Sequence, residues 1–466
     1  MRTWISSSVP GTFVVLLVIA CPVLGQSDTL PGTSQETVTL PSAQLDAIMQ
    51  RLEALEAQKV SGKQKSSETD EWQDVSAEKW TIKLGGRALA DYVMFADQDA
   101  GNQARFGDID NYFEWRRLRL KADGEGYGVY FYKLELEFEP EGATGLGDSG
   151  VVTRDCYVGI KEVPWLGTVT IGNSKQPISL EILNSSNYIS FMERSLPRMF
   201  LVEERRLGVH AANHIPSEAL TWDYGIFLAK PVEEDHEVIS DDPGVRLVGR
   251  VVTTPYYCEG GRHFVHVGLG GAWQTVGEDN RWRWRSRPEV HEGPYFIDSG
   301  TFDSGSLYTL NLESALNWGA FSLQSEVYYN RNKAMADDID LYGAYAEASW
   351  FLTGESRPYS RSRGVFERLK PHTNFWLVRG SDGLDMGWGA WQLAARWSAV
   401  DLSDAAFQGA NRGIQHDMSV GVNWYWNPNV RWMVNWIHTW NDYDVAAGGY
   451  TDGQADILAV RGQLDF

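Results

Sequence analysis

From Trp80 to the C-terminal Phe466 the chain repeats a two-residue alternation of apolar and polar side chains, which restricts its fold more than any other feature. In "FSLQSEVYYN" (321–330), Phe321, Leu323, Val327 and Tyr329 alternate with Ser322, Gln324, Glu326 and Asn330. "SVGVNWYW" (419–426) sets Val420, Val422, Trp424 and Trp426 against Ser419, Gly421, Asn423 and Tyr425. "YKLELEF" (132–138) and "RRLRLK" (116–121) follow suit, with Glu, Arg and Lys on the polar side. A period of two belongs to β-strands, whose successive side chains point to opposite faces. Soluble sandwiches also alternate, so one such strand decides nothing.

Three further features point to a transmembrane antiparallel β-barrel. The 20 Trp and 20 Tyr crowd the apolar faces near segment ends, as interfacial girdles require. Acidic, Gly-rich stretches such as "DQDAGNQARFGDID" (97–110) and "VEEDHEVISDDPG" (232–244) read as long external loops. The chain stops as "ILAVRGQLDF", with Leu458, Val460, Leu464 and Phe466 in period two, similar to the terminal strand by which bacterial barrels are assembled. Past residue 25 no segment approaches the apolar length of a transmembrane helix, so any crossing is made by strands. About 10 residues per strand, plus turns and loops, puts about 16 strands into 80–466, enough to enclose an aqueous lumen.

The N-terminus reads as an export signal over 1–25. Arg2 is its positive end and "FVVLLVIA" (13–20) its apolar core, too short to span a bilayer. "VIAC" also fits a lipoprotein signal, which would leave Cys21 lipidated. Residues 26–40 are Ser/Thr/Gln-rich and expected to be disordered. Over 41–60, Leu45, Ile48, Leu52 and Leu55 form a heptad seam opened by Pro41 and a Ser42 cap. This short coiled-coil segment either self-associates or stands as a helix without a partner. A polar linker, 61–79, joins it to the β region. Export and strands together place the protein in the bacterial outer membrane.

Sixty-two acidic residues against 41 basic give a net charge of −21, which argues against a general polyanion binder. Any anion site must then be a local concentration of arginine. "RWRWRSRPEVH" (281–291) is one, with Arg281, Arg283, Arg285 and Arg287 on one strand face and Trp282, Trp284 and Ser286 on the other. An arginine facing lipid at the bilayer midplane costs about 2–4 kcal/mol, so at membrane depth these would line the lumen. In a loop they would still set a row of charge at the pore mouth; alternatively they pair with acids such as "GED" (277–279). The acidic total and export signal disfavour nucleic acid as the partner of the Arg/Trp run.

Several segments resemble the phosphate-selective porin family, O and P type. "KLGGRALADY" (83–92), "YFEWRRLRL" (112–120) and "YKLELEF" are similar to its first strands, and "VTIGNSKQPISLEILNSSNYISFMERSL" (169–196) to its inward-folded loop. "FLTGESRPYS" (351–360), "GAWQLAARWSAVDL" (389–402) and "GVNWYWNPNVR" (421–431) are similar to later strands. The resemblance implies a 16-stranded, usually trimeric barrel passing small anions such as phosphate or polyphosphate through a loop-narrowed eyelet. It implies lumenal arginines at Arg116 and Arg117, an acid at Glu137, a constriction-loop serine pair at Ser185 and Ser186, and an arginine ladder at 281–287. It also implies two departures: Met94 and Ile182 stand where phosphate-specific members carry cations, which weakens an anion site built on charge-assisted hydrogen bonds.

On a regular strand only one of Arg116 and Arg117 faces the lumen, and Arg117 is in phase with Arg119 and Lys121. These cations either pair with Glu135 and Glu137 or meet ions. Arg87 and Arg396 also sit in alternating segments, and Lys175 borders the constriction loop, where it either holds the loop or touches ions. A strand splits His263 and His266 between its two faces, and neither this pair nor His210 and His214 completes a metal geometry. Cys156 and Cys258 are the cysteines of the β region. No nucleophile elbow, phosphate loop or zinc helix occurs, so the chain is expected to be neither an enzyme nor cofactor-dependent. A closed-lumen barrel enzyme or adhesin is the alternative from another class.

Overall fold

A computed structural model describes residues 80–138, 151–201, 204–230, 242–277, 281–333, 338–380 and 383–466. The export signal, the heptad segment and its linker lie outside them.

Nine strands come first: β1 (Lys83–Gln98), β2 (Tyr112–Gly126), β3 (Tyr130–Glu137), β4 (Val152–Val163), β5 (Gly167–Lys175), β6 (Arg205–His214), β7 (Leu220–Leu228), β8 (Val245–Cys258) and β9 (His263–Thr275). A hairpin of β10 (Arg281–Ser286) and β11 (Ile297–Asp303) precedes β12 (Ser306–Trp318), β13 (Phe321–Lys333) and β14 (Asp338–Phe351). Two small hairpins follow, β15 (Tyr359–Ser360) with β16 (Val365–Phe366), and β17 (Trp376–Gly380) with β18 (Gly383–Gly387). The last strands are β19 (Ala390–Asp401), β20 (Gly413–Tyr425), β21 (Val430–Ala447) and β22 (Tyr450–Asp465). Sixteen of these, all but β10, β11 and β15–β18, form one closed antiparallel barrel in chain order, with β1 paired to β22.

Closure depends on the last residue. Gly86 and Phe466 exchange backbone hydrogen bonds of 2.9 and 3.0 Å. A Cβ on Gly86 would stand 2.6 Å from the Arg119 carbonyl oxygen and 2.8 Å from the Phe466 ring. Glycine is therefore required where the seam closes.

The faces are as the alternation demands. Leu323, Val327 and Val420 are exposed outward, while Gln324, Glu326, Ser419 and Asn423 are buried inward. Leu458, Leu464 and Phe466 of the terminal strand also point outward. On the exterior, Trp391 stacks on Trp424, and eight residues up β21 from Trp432 the Trp440 ring stacks on His416, so indoles mark both edges of the apolar band.

Three connections fold inward and fill much of the barrel. The 176–204 connection between β5 and β6 carries α1 (Leu180–Leu183) and a 3-10 turn, Leu196–Leu201. Its Ile178, Ile182, Leu196, Phe200 and Leu201 pack with Trp284, Phe302, Tyr328 and Tyr345 in an apolar cluster inside the lumen. The second is the 276–305 connection with β10 and β11. The third is the first part of 352–389, a connection that is long although it leaves the barrel at the end where neighbouring connections are short turns. Its Phe366 amide donates 2.9 Å to Asn184 of the first, and Tyr359 stacks on Phe264 of β9. The Gly-rich stretch 97–110 is an external connection as expected, and also forms α2 (Ala100–Phe106).

Candidate functional site

The wall formed by β1–β5 carries the cations, and its geometry turns on one irregularity. The β1–β2 register runs Leu89 to Arg117 and then Ala90 to Trp115, leaving Arg116 as an extra residue. A bulge of this kind lets two successive side chains point the same way. Arg116 and Arg117 are both buried inside the barrel, 4% and 6% exposed. The expectation that only one of them faces inward is corrected.

The two differ electrically. Arg116 forks onto Glu193 of the constriction loop at 2.8 and 3.1 Å. Arg117 has two buried nitrogens, Nε and Nη1, without a hydrogen-bond partner. Arg119 is spent on the neighbouring strand, donating at 2.8 and 2.9 Å to Glu137 and at 2.9 Å to Glu135. Glu137 also pairs with Arg154, so it balances the wall. Arg87 donates at 2.9 Å to both Ser186 Oγ and Asn187 Oδ1, placing the tip of the constriction loop across from the bulge. Ser185 turns its hydroxyl to the Asn187 amide, 3.3 Å away.

Other cations hold the loop in place. Lys175 donates to the Ile182 and Asn184 carbonyls at 2.5 and 3.0 Å, which holds the loop, and it also lines the cavity below. Arg194 reaches the Glu181 carbonyl at 3.0 Å, Arg431 that of Ile189 at 2.7 Å, and Arg396 that of Glu193 at 3.0 Å. Arg461 forks onto Asp91 and bonds Glu193 at 2.8 Å. Burial alone would raise the Glu193 carboxyl, but Arg116, Arg461 and Arg117 outweigh it and hold it well below the carboxylate range. Arg194, Arg431 and Arg461 went unnoticed in the sequence; for Arg431 and Arg461 the inward phase they share with Asn435 and Gln463 was the available signal, while Arg194, in the loop, carries no such phase.

The arginine run lies on the β10–β11 hairpin, in a connection and off the barrel wall. Its indoles point into the core, Trp284 packing edge-on to Phe200 at 5.6 Å. Arg281, Arg283 and Arg285 are exposed on the other side. Arg283 pairs with Asp298 across the hairpin, while Arg285 and Arg287 lie 4.0 and 4.3 Å from the Tyr295 ring centre. The hairpin's following turn docks on β2, where His291 Nδ1 and Glu114 share a 2.6 Å hydrogen bond and the Glu292 amide donates to Tyr112.

The two departures are also corrected in placement. Met94 lies out of phase with Asp91, Val93 and Phe95, which are the buried, inward residues, so its own side chain faces away from the lumen. Ile182 is a core residue of the constriction loop, and its carbonyl receives Lys175. Neither Val93 nor Phe95, the inward neighbours of Met94, is a cation. His266 turns inward to Tyr359 and His263 meets Trp318 edge-on outside, and Cys156 and Cys258 are free thiols.

Below the eyelet a cavity of about 1550 Å³ widens toward the barrel end that holds Phe466. Arg87, Arg117, Arg119, Ser185 and Ser186 line its upper part, and its lining holds twice as many lysines and arginines as aspartates and glutamates. In a chain of net charge −21 this reverses the overall balance.

A closed antiparallel barrel with an apolar, indole-banded exterior and a lumen narrowed by inward connections is a porin of the bacterial outer membrane. The chain belongs to the phosphate-selective porin O and P family, whose model matches residues 82–466. Porin O of Pseudomonas aeruginosa is 24% identical over 422 residues, covering 82% of this chain and 88% of that protein. An uncharacterized protein of Caulobacter vibrioides is 29% identical over 367 residues, 76% of this chain and 68% of its own. In fold, the chain is similar to an anion-selective porin from Comamonas acidovorans, with a TM-score of 0.52, 14% identity, and 83% and 100% of the two chains covered.

Proposed function

We propose that the protein is a water-filled channel for small anions that attracts them without holding phosphate tightly. The observation that carries this is the reversal of charge along the lumen: an acidic chain lines the cavity below its eyelet with an excess of cations. Fixed guanidiniums raise the local anion concentration at any physiological pH. Arg117, with two donors unmatched, is the group best placed to meet a passing anion. Arg116 and Arg119 are already neutralised by Glu193, Glu135 and Glu137, which supports transit over tight binding. Ser185, Ser186 and Arg87 would supply the opposite side of the eyelet, and Arg281, Arg283, Arg285 and Arg287 the approach from outside. The assembly proposed is a homotrimer in outer-membrane lipid, with 41–60 as an added contact.

Purified protein in a planar bilayer under a KCl gradient tests this reading. Conductance with an anion-selective reversal potential is expected. Absence of conductance would favour a closed-lumen barrel, and a potential near zero a general porin in which the acidic partners cancel the arginines.

A further inference from the structure

The β17–β18 hairpin is out of character for a barrel connection. Its strands pair Leu377 with Met386, so these two share a face, and Leu384, two residues from Met386, lies on it as well. All three are exposed, at 53%, 70% and 69%, and Trp376 and Trp388 at the hairpin's base are exposed at 62% and 76%. A two-stranded hairpin is at best marginally stable in water by itself, and one with an uncovered apolar face needs a medium to bury it.

Its root indicates which medium. The Phe375 amide donates 2.6 Å to the Trp426 carbonyl, and the Phe375 ring sits 4.6 Å from Trp424 and 5.2 Å from Trp426. Trp424 in turn stacks on Trp391 and donates from Nε1 to the Trp388 carbonyl at 2.9 Å. Trp391 and Trp424 belong to the outward indole band at the end of the barrel that carries the chain terminus, and such bands sit at headgroup level. The hairpin is thus rooted on the lipid-facing side of the wall, where the barrel meets the periplasmic leaflet.

We propose that β17 and β18 form a foot seated in the headgroup layer of the periplasmic leaflet, with Leu377, Leu384 and Met386 as its inserted face and phospholipid as its partner. This rests on the outer-membrane location and is independent of which solute the channel passes.

The test places an environment-sensitive fluorophore at Leu384→Cys, and separately at Leu377→Cys, with Cys21, Cys156 and Cys258 replaced by serine. The full chain is reconstituted into phosphatidylethanolamine/phosphatidylglycerol vesicles, and retained channel conductance verifies folding. Lipid carrying a nitroxide near the headgroup is expected to quench both labels about twofold more than lipid carrying it near the acyl terminus. Quenching by aqueous iodide with no effect of lipid nitroxide would overturn the proposal, since the hairpin would then stand in the periplasm. Protection from both quenchers would also overturn it, because a second copy or a periplasmic protein would then cover the face.

Discussion

Arg117 and Arg119 leave the same strand two residues apart and end differently engaged, because the acids of β3 accept hydrogen bonds from Arg119 and not from Arg117. The Arg119 fork with Glu137 and its bond to Glu135 make it part of the wall's framework. Removing one partner of such a buried group strands the others, at a cost of about 3 kcal/mol. Arg119→Ala is therefore expected to lower the unfolding free energy obtained from denaturant titration by an amount near this, whereas Arg117→Ala leaves it nearly unchanged. Glu193 makes a second prediction. Its carboxyl is held well below the ordinary value of 4.5, so the stability it contributes is present above that value and is lost only as pH falls through the lowered one. Conductance is expected to be the same at pH 7 and about pH 5. Glu193→Gln removes a negative charge beside Arg116, raises the anion-to-cation permeability ratio, and adds current noise as the loop loosens; an unchanged ratio would mean that this charge does not act on the permeant ions.

At the scale of the element, two connections meet over the eyelet and are held by different means. Cations gripping its carbonyls and an apolar seat pin the 176–204 loop, and Trp284 keys the β10–β11 hairpin against it. The Arg/Trp alternation already told which side is charged, and the hairpin keeps that division. Its placement in a loop, and Asp298 as the partner of Arg283, were not readable, because cross-strand register depends on where the turn falls. The β2 bulge was hidden for the same reason: nothing in "EWRRLRL" marks Arg116 as the extra residue until β1 supplies the other half of the ladder. The inward course of the segment around 359–366 was likewise unmarked, since its anchors, Tyr359 and Phe366, gain meaning only beside Phe264 and Asn184. Because Arg283 and Arg287 are partly engaged, replacing Arg283, Arg285 and Arg287 together with Ala is expected to reduce anion selectivity less than Arg117→Ala alone. Unchanged permeability ratios would make the run a purely structural surface.

Taken as a molecule, the barrel was legible because each strand repeats the same constraint. A lipid exterior and a wet interior force alternation on all sixteen, and the terminal Phe466 closes the seam the pattern announced. The assembly is a separate matter. If the heptad segment contributes to a trimer, deleting 41–60 will shift the protein toward monomer on a native gel, and full trimer retention would exclude that role. The central claim is that lumenal charge, set against an acidic whole, selects anions, with Arg117 as its least neutralised contributor. The most direct measurement is the reversal potential of Arg117→Ala beside the unaltered protein in the same KCl gradient. The account predicts an anion-selective potential for the unaltered channel and a permeability ratio about threefold lower for the variant. A cation-selective potential in the unaltered channel, or identical ratios in the two, would contradict it.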